Sequence, residues 1–224
     1  VYSAMRPHLP AAAPGKPGPI FVSATKGLER DSLARMSQVI AQALHSDSAA
    51  PRIAALSGPS FARELAQGDP TAVVIASEDA AVAAQVQEEF SGPSLRLYTN
   101  PDVVGVEICG AVKNVIAIAA GVCAGLGLGG NTSAALVTRG LAEMTRLSVA
   151  AGGLRDTPSG LAGLGDLILT ATGSLSRNRT VGVELGKGRP LQEILAGMRM
   201  VAEGIGTTAA MLALARRYGI ETPI

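Results

Sequence analysis

Tryptophan is absent from this chain, and three tyrosines and three phenylalanines are all the aromatic residues among 224. So few rings disfavour the stacking platforms that grip single-stranded nucleic acid. Charge is also scarce, at 17% of residues with a net value of +1, which leaves neither a basic nucleic-acid surface nor an acidic tail. Two cysteines, Cys109 and Cys123, stand fourteen positions apart. On one helix they would lie about 21 Å from each other, too far to pair, so they read as buried thiols of a reducing compartment. The two histidines, His8 and His45, are isolated, and no Cys/His cluster has zinc spacing, so no metal site is expected. The opening VYSAMRPHLP has no basic leader followed by an apolar core, which points to a cytoplasmic protein without a signal peptide.

What the chain does have is apolar mass, with 47% hydrophobic residues and 27 glycines. That is enough to bury a core in one large or two small domains. The most telling stretch is GVEICGAVKNVIAIAAGVCAGLGLGGNTSAALVT, from Gly105 to Thr138, where Lys113 is the one basic residue and no charge follows until Arg139. An ammonium in so apolar a setting is costly unless paired or used, and burial lowers its pKa toward proton exchange. Asn114 beside it adds a donor and an acceptor. Three plainer readings stand next to a catalytic one: a membrane span, a lysine that snorkels out of a core helix, and a structural ion pair. The span is disfavoured by Gly121, Gly125, Gly127, Gly129 and Gly130, which read as a helix C-terminus and a glycine turn before a new helix near Asn131. No second hydrophobic span or basic flank supports insertion.

The first hundred residues alternate short β-type runs with amphipathic stretches. Strands are expected at Ile20–Ala24, Ile53–Leu56, Ala72–Ala76 and Leu95–Tyr98, with a helix carrying Leu33, Met36, Ile40 and Leu44 on one face and another near Asp79 to Phe90. That alternation implies an α/β fold built on a largely parallel sheet. After about Pro101 the pattern is helical, with a helix through Lys113, a second from Asn131 to Ala151, and others over Leu191–Met198 and Thr207–Tyr218. Thr157 and Pro158 read as an N-cap and first-turn pair. The expected division is 1–100 for the sheet domain and 101–224 for an all-α domain.

In an open parallel sheet, ligands bind beyond the carboxyl ends of the strands. Two such ends here carry Thr25-Lys26-Gly27 and Ser57-Gly58-Pro59-Ser60. Either alone is more simply an ordinary βα turn, but the two are neighbours. In the helical half, Asp166 is a lone carboxylate within Gly163-Leu164-Gly165-Asp166-Leu167 and the expected partner of a buried Lys113. Ser176-Arg177-Asn178-Arg179-Thr180 reads as a capped helix start with a forked donor, a phosphate nest or merely a solvated surface. Val201-Ala202-Glu203-Gly204 sets a carboxylate where it either meets a ligand or caps a helix.

Taken in order, VSATKGLE, LSGPSFARELAQGDPTAVVIAS, GVEICGAVKNVIAIAAGVCAGLGLGGN, GLAGLGDLILTATGSLSRNR and VAEGIGTT resemble the bacterial-type NAD(P)-dependent glycerol-3-phosphate dehydrogenase family. The resemblance covers nearly the whole chain and implies a partial Rossmann-type sheet followed by the helical domain. It implies NAD or NADP as cofactor and reduction of dihydroxyacetone phosphate to sn-glycerol 3-phosphate for glycerophospholipid synthesis. It makes Lys113 the general acid/base. It assigns Lys26, Gly58, Ser60, Lys113, Asp166, Ser176, Arg177 and Asn178 to the substrate pocket, and Lys26, Ala62, Arg177, Val201 and Glu203 to cofactor contacts. The implied partner is a small molecule, with no nucleic acid and no membrane span. A homodimer is compatible with it.

The sequence departs from the family at its start, where the strand and glycine-rich turn that hold the pyrophosphate are missing, and at GIETPI, where the family continues. The chain therefore reads as a fragment of a longer product. Preference between NADH and NADPH is not legible, because the residue that reads the ribose lies in the missing part. Two other functions fit parts of the pattern: a hydroxyacid or ketopantoate-type reductase with a catalytic lysine, and a non-catalytic phosphate-binding remnant. Against the first, a carboxylate substrate has less need of the Ser-Arg-Asn nest.

Overall fold

The computed structural model describes Ala4 and residues 17–44, 50–198 and 201–224. His8, His45, Pro7, Pro10 and Pro14 lie outside the described residues. Four strands, β1 (Ile20–Ser23), β2 (Arg52–Ser57), β3 (Thr71–Ala76) and β4 (Leu95–Asn100), form one sheet in that spatial order. Between them run α1 (Met36–Leu44), the short α2 (Ala62–Ala66) and α3 (Ala80–Phe90).

The joins β1–β2 and β3–β4 are parallel, whereas β2 and β3 pair antiparallel, so the sheet is mixed. The helices in the connections differ in length in step with the reversal. A parallel crossover must carry the chain back along a strand of about 20 Å. The nine residues of α1 and eleven of α3 return it by about 13 and 16 Å, but the five residues of α2 cover only about 7 Å. The chain therefore turns at α2 and runs back beside β2.

Side-chain alternation along the strands assigns the sheet's two faces. Ala54, Val73, Ile75 and Leu97 pack with Val82 and Val86 of α3. Their neighbours Ala55, Val74 and Ala76 pack with Val103 and Val106 instead. Those two residues begin α4 (Val103–Gly125), which covers the second face and then runs on into the helical half. There follow α5 (Gly130–Ala150), a 3₁₀ turn at Thr157–Ser159, a π turn at Leu161–Gly165, α6 (Asp166–Thr172), α7 (Arg177–Gly186), α8 (Leu191–Ala196) and α9 (Glu203–Tyr218).

Fifteen of the 23 residues of α4 are buried, so it is the axis of the molecule. It is long and apolar enough to cross a membrane, yet 78% of its most apolar window is covered by the rest of the fold. A helix apolar on all sides needs such an envelope. Its core neighbours include Met144 and Leu147 of α5, Leu167 of α6, and Met211 and Leu214 of α9. Cys109 and Cys123 both lie on α4 and are unpaired.

The glycines of α4 are not the turn expected from the sequence. Gly121 and Gly125 sit inside the helix and face Gly182 and Gly186 of α7. A methyl on Gly121 would strike the Arg179 carbonyl, and one on Gly182 the Ile118 carbonyl. Two glycines four apart on each helix let the backbones touch. The turn itself comes at Leu126–Gly129, with Gly127 at φ 75°. Thr157 is likewise not a cap: it is the first residue of the 3₁₀ turn after Asp156, with Pro158 next to it.

Candidate functional site

Asp166 is 1% exposed and lies at the meeting point of the two halves. Its Oδ1 accepts from Lys113 Nζ at 3.0 Å and from Thr170 Oγ1 at 3.2 Å, while its Oδ2 accepts from Lys26 Nζ at 2.6 Å. Lys113 Nζ also donates to Thr170 Oγ1 at 2.8 Å, and Lys26 Nζ to the Gly58 carbonyl at 3.0 Å. One carboxylate thus holds two ammonium groups, one from the helical half and one from the end of β1.

Local structure explains each position. Lys26 follows β1 and Gly58 follows β2, so two adjacent parallel strands deliver them to the same edge. Gly58 has φ 128°, and a Cβ there would come within 3.0 Å of the Val73 backbone. Only glycine makes that turn without strain, and the turn leaves the carbonyl that Lys26 uses. Asp166 opens α6 directly after the π turn, a local widening of the helix often found at functional sites. Gly163 in that turn lies against the Pro158 backbone, where a side chain would collide. Thr170, four residues on, sits one turn above Asp166 on the same face.

A second chain of hydrogen bonds runs beside the first. Asn114 Nδ2 donates to the Lys26 carbonyl at 3.1 Å, and Asn178 Nδ2 donates to Asn114 Oδ1 at 2.9 Å. Asn178 Oδ1 in turn accepts from the Gly204 N–H at 3.0 Å, at the start of α9. The Lys26 turn, α4, α7 and α9 are locked together through two buried amides.

Charge at the centre is unbalanced. Burial pushes the Lys113 ammonium down from 10.5 to about 8, and the neighbouring Lys26 charge pushes the same way. Asp166 and Glu203 oppose the fall. A lysine held near 8 exchanges protons at physiological pH, the property required of a general acid/base.

The remaining sequence candidates divide into three groups. Ser176 caps α7, its Oγ accepting from the Arg179 N–H at 3.2 Å, and Arg177 is exposed with NH1 on the Val201 carbonyl at 2.9 Å. The Ser-Arg-Asn segment is therefore a capped helix start beside Val201. Ser60 Oγ bonds back to the Gly58 carbonyl at 3.0 Å, and Ala62 is exposed at the start of α2. Lys26, Val201 and Glu203 line a cleft of about 580 Å³ between the turn after β1 and the start of α9, with Arg30, Met36 and Leu195. Lys26 alone belongs both to that cleft and to the buried cluster. Thr170 was not anticipated from the sequence, although its i+4 spacing from Asp166 on a helix was the available signal. Among the described residues no cluster of His, Cys, Asp and Glu has the makings of a metal site.

Two family models match the chain. The one described as the C-terminus of NAD-dependent glycerol-3-phosphate dehydrogenase covers residues 102–224, and the one described as its N-terminus covers residues 3–83. The chain is 59% identical over 225 residues to a glycerol-3-phosphate dehydrogenase [NAD(P)+] of Koribacter versatilis, covering 100% of this chain and 65% of that protein. It is 63% identical over 205 residues to the protein of the same name in Acidobacterium capsulatum, covering 91% of this chain and 61% of that one. Its fold superposes with a TM-score of 0.91 on the crystal structure of a glycerol-3-phosphate dehydrogenase from Coxiella burnetii at 41% identity, over 99% of this chain and 65% of that one. The chain thus spans under two thirds of the length of these relatives.

Proposed function

This chain belongs to the NAD-dependent glycerol-3-phosphate dehydrogenase family, and on that footing we propose that the whole protein interconverts dihydroxyacetone phosphate and sn-glycerol 3-phosphate. The observation that carries the reading is the buried Lys113–Asp166 pair with Thr170 beside it and Lys26 at the cleft edge. Residues 1–100 form the cofactor side in this reading and residues 101–224 the substrate side.

The cleft residues suit a nicotinamide dinucleotide. Lys26 and Arg30 offer cations for phosphate oxygens, and Met36 and Leu195 offer apolar wall. Gly27 and Gly206 keep the lining bare: a Cβ on Gly27 would come within 3.2 Å of Thr207 Oγ1, and one on Gly206 within 3.0 Å of the Arg30 guanidinium. When bound, the nicotinamide gives or takes a hydride at the substrate carbon. Lys113 handles the matching proton at the neighbouring oxygen. In the reductive direction it donates as the ammonium, and in the oxidative direction it accepts as the amine. Asp166 and Thr170 fix its Nζ, so it cannot swing out to solvent. Burial excludes water, which would otherwise weaken each of these polar contacts.

The substrate's phosphate is held by Arg177, with Ser176 and Asn178 shaping the turn and the α7 N-terminus favouring an anion. Gly58 and Ser60 close the strand side of the pocket. Ala62, Val201 and Glu203 are assigned to the cofactor with Lys26 and Arg177. A cytoplasmic enzyme supplying glycerophospholipid synthesis completes the reading, supported by two unpaired cysteines in a chemistry that suits a reducing compartment. The test is oxidation of NADH and NADPH by the whole protein with dihydroxyacetone phosphate. Ketopantoate and short β-keto acids serve as rival substrates, and turnover of a rival alone would remove the proposal.

A further inference from the structure

Glu107 lies on α4, six residues before Lys113, and the reaction outlined above makes no use of it. It is 7% exposed, and its carboxylate accepts three donors from one segment. Arg35 NH1 and Ser37 Oγ reach Oε2 at 2.7 and 2.6 Å, and the Ser37 backbone N–H reaches Oε1 at 2.7 Å. Arg35 NH1 also donates to Ser37 Oγ at 2.9 Å, so the cluster is closed. Ser37 is in the first turn of α1, where free N–H groups and the helix dipole favour an anion.

This segment is the far stem of the loop that carries Lys26. Arg35 forms an antiparallel bridge with Leu28, and within the loop Glu29 N–H donates to the Ala34 carbonyl at 2.9 Å. The Glu29 carboxylate takes the N–H groups of Asp31 and Ser32, and Leu33 holds φ 59°. Residues 28–35 are thus a loop closed by its own hydrogen bonds. Leu28 at its near stem is buried among Ile108 and Val112 of α4, two residues after Lys26. Asn114 holds the Lys26 carbonyl, and Glu107 holds the opposite stem, so α4 fastens both sides of the loop.

We propose that Glu107 is a positioning residue for the reaction: it clamps the Lys26 loop onto α4 so that Lys26 and Lys113 meet on the one carboxylate of Asp166. The inference rests on the function proposed above. A buried carboxylate is costly to desolvate, and replacing such a pair by apolar residues is often no loss to stability. What the apolar alternative would not supply is a fixed register between the loop and the helix. Through that register Glu107 acts on Lys26, and through Lys26 on the proton affinity of Lys113. The charged groups that bear on Lys113 are Asp166 from α6, Lys26 from the turn after β1 and Glu203 from α9.

The test is a double-mutant cycle in the whole protein with Glu107→Gln, Lys26→Met and the pair. Glu107→Gln should raise KM for dihydroxyacetone phosphate about tenfold, and in the pair it should add nothing to Lys26→Met. Independently of turnover, the pH dependence of Lys113 acylation by acetic anhydride, mapped by peptide mass, should move upward by about half a pH unit or more in both single variants and no further in the pair. If Glu107→Gln does not fold, Arg35→Met breaks the same clamp from its more exposed end and takes its place in the cycle. Additive effects on KM, or a lowered melting temperature with the acylation profile unmoved, would make Glu107 structural only and overturn the proposal. Should the unmodified protein fail to turn over dihydroxyacetone phosphate, the proposed function falls and the acylation arm alone decides for or against the clamp.

Discussion

At the scale of single residues, Lys113 is governed by two opposed effects. Desolvation and Lys26 favour its neutral amine, while Asp166 and Glu203 favour the ammonium, and the first pair wins by bringing it to about 8. In the proposed oxidation of glycerol 3-phosphate the amine would be the active form, so kcat/KM should climb with pH and level off above about 8. For the reverse reaction the ammonium is active, so the rate should fall through the same region. Steady-state profiles in both directions check this, and a flat profile between pH 7 and 9 would contradict it. Replacing Lys113 by Ala should reduce kcat by about 10² to 10⁴, the usual worth of a positioned acid/base; a change of a few-fold would make the lysine structural. Arg177→Ala is expected to act on binding instead. Its side chain is exposed and, among the described residues, hydrogen-bonds to the Val201 carbonyl, so little stability should depend on it. A charge-assisted phosphate contact is worth about 1.5–3 kcal/mol, or roughly ten- to a hundred-fold in KM. A lowered melting temperature with KM unchanged would remove Arg177 from the proposed phosphate site.

At the scale of elements, the crossing of α4 and α7 depends on what its glycines lack. Alanine is normally about 1 kcal/mol better than glycine inside a helix. At Gly182 that gain is overruled, because a methyl would sit against the Ile118 carbonyl and within 2.8 Å of the Gly121 Cα. Gly182→Ala should therefore destabilise by about 1–3 kcal/mol, the cost of forcing packed backbones apart. Gly130→Ala at the start of α5 is the control: nothing lies within 4 Å, and it should be neutral or mildly stabilising. Chemical denaturation of the two variants decides the matter, and equal effects would mean that the crossing adapts freely. This contact also bears on the site, since α7 carries Asn178 and α4 carries Asn114. Much at this scale was legible beforehand. The alternating runs gave all four strands and the apolar run gave α4, because both depend on local periodicity. The antiparallel β2–β3 join and the glycine crossing were not legible, because each depends on what lies opposite in space.

For the whole molecule, the site is held at a cost in stability. The unfolded chain keeps Lys113 protonated up to about 10.5, whereas the fold releases the proton near 8. Between these values the unfolded state binds more protons, so this group's contribution to stability rises with pH across that window and is unfavourable below it. Lys113→Met should then raise the melting temperature at pH 7 while lowering turnover as Lys113→Ala does, since Asp166 keeps Lys26 as its partner. The advantage over the parent protein should shrink as pH rises from 8 toward 10. A variant less stable than the parent at pH 7 would show that the Lys113–Asp166 pair outweighs the burial it requires.

Sequence by itself determined the α/β half, the helical half, the isolation of Lys113 in an apolar helix and the choice of Asp166 as its partner. Each follows from local facts: a period of two or of 3.6 residues, and a charge with no neighbour of its own. The resemblance carried by the ordered motifs supplied the family, which the two family models bear out. Only the tertiary structure decided that Lys26, 140 positions away from Asp166, shares that carboxylate with Lys113. It alone joined Asn114 to Asn178 and Gly204, set Glu107 on the stem of the Lys26 loop, and turned two pairs of glycines toward each other. Periodicity says which face of an element is buried. Which residues meet across that face depends on the path of the whole chain, and it was there that two lysines came to share one acid.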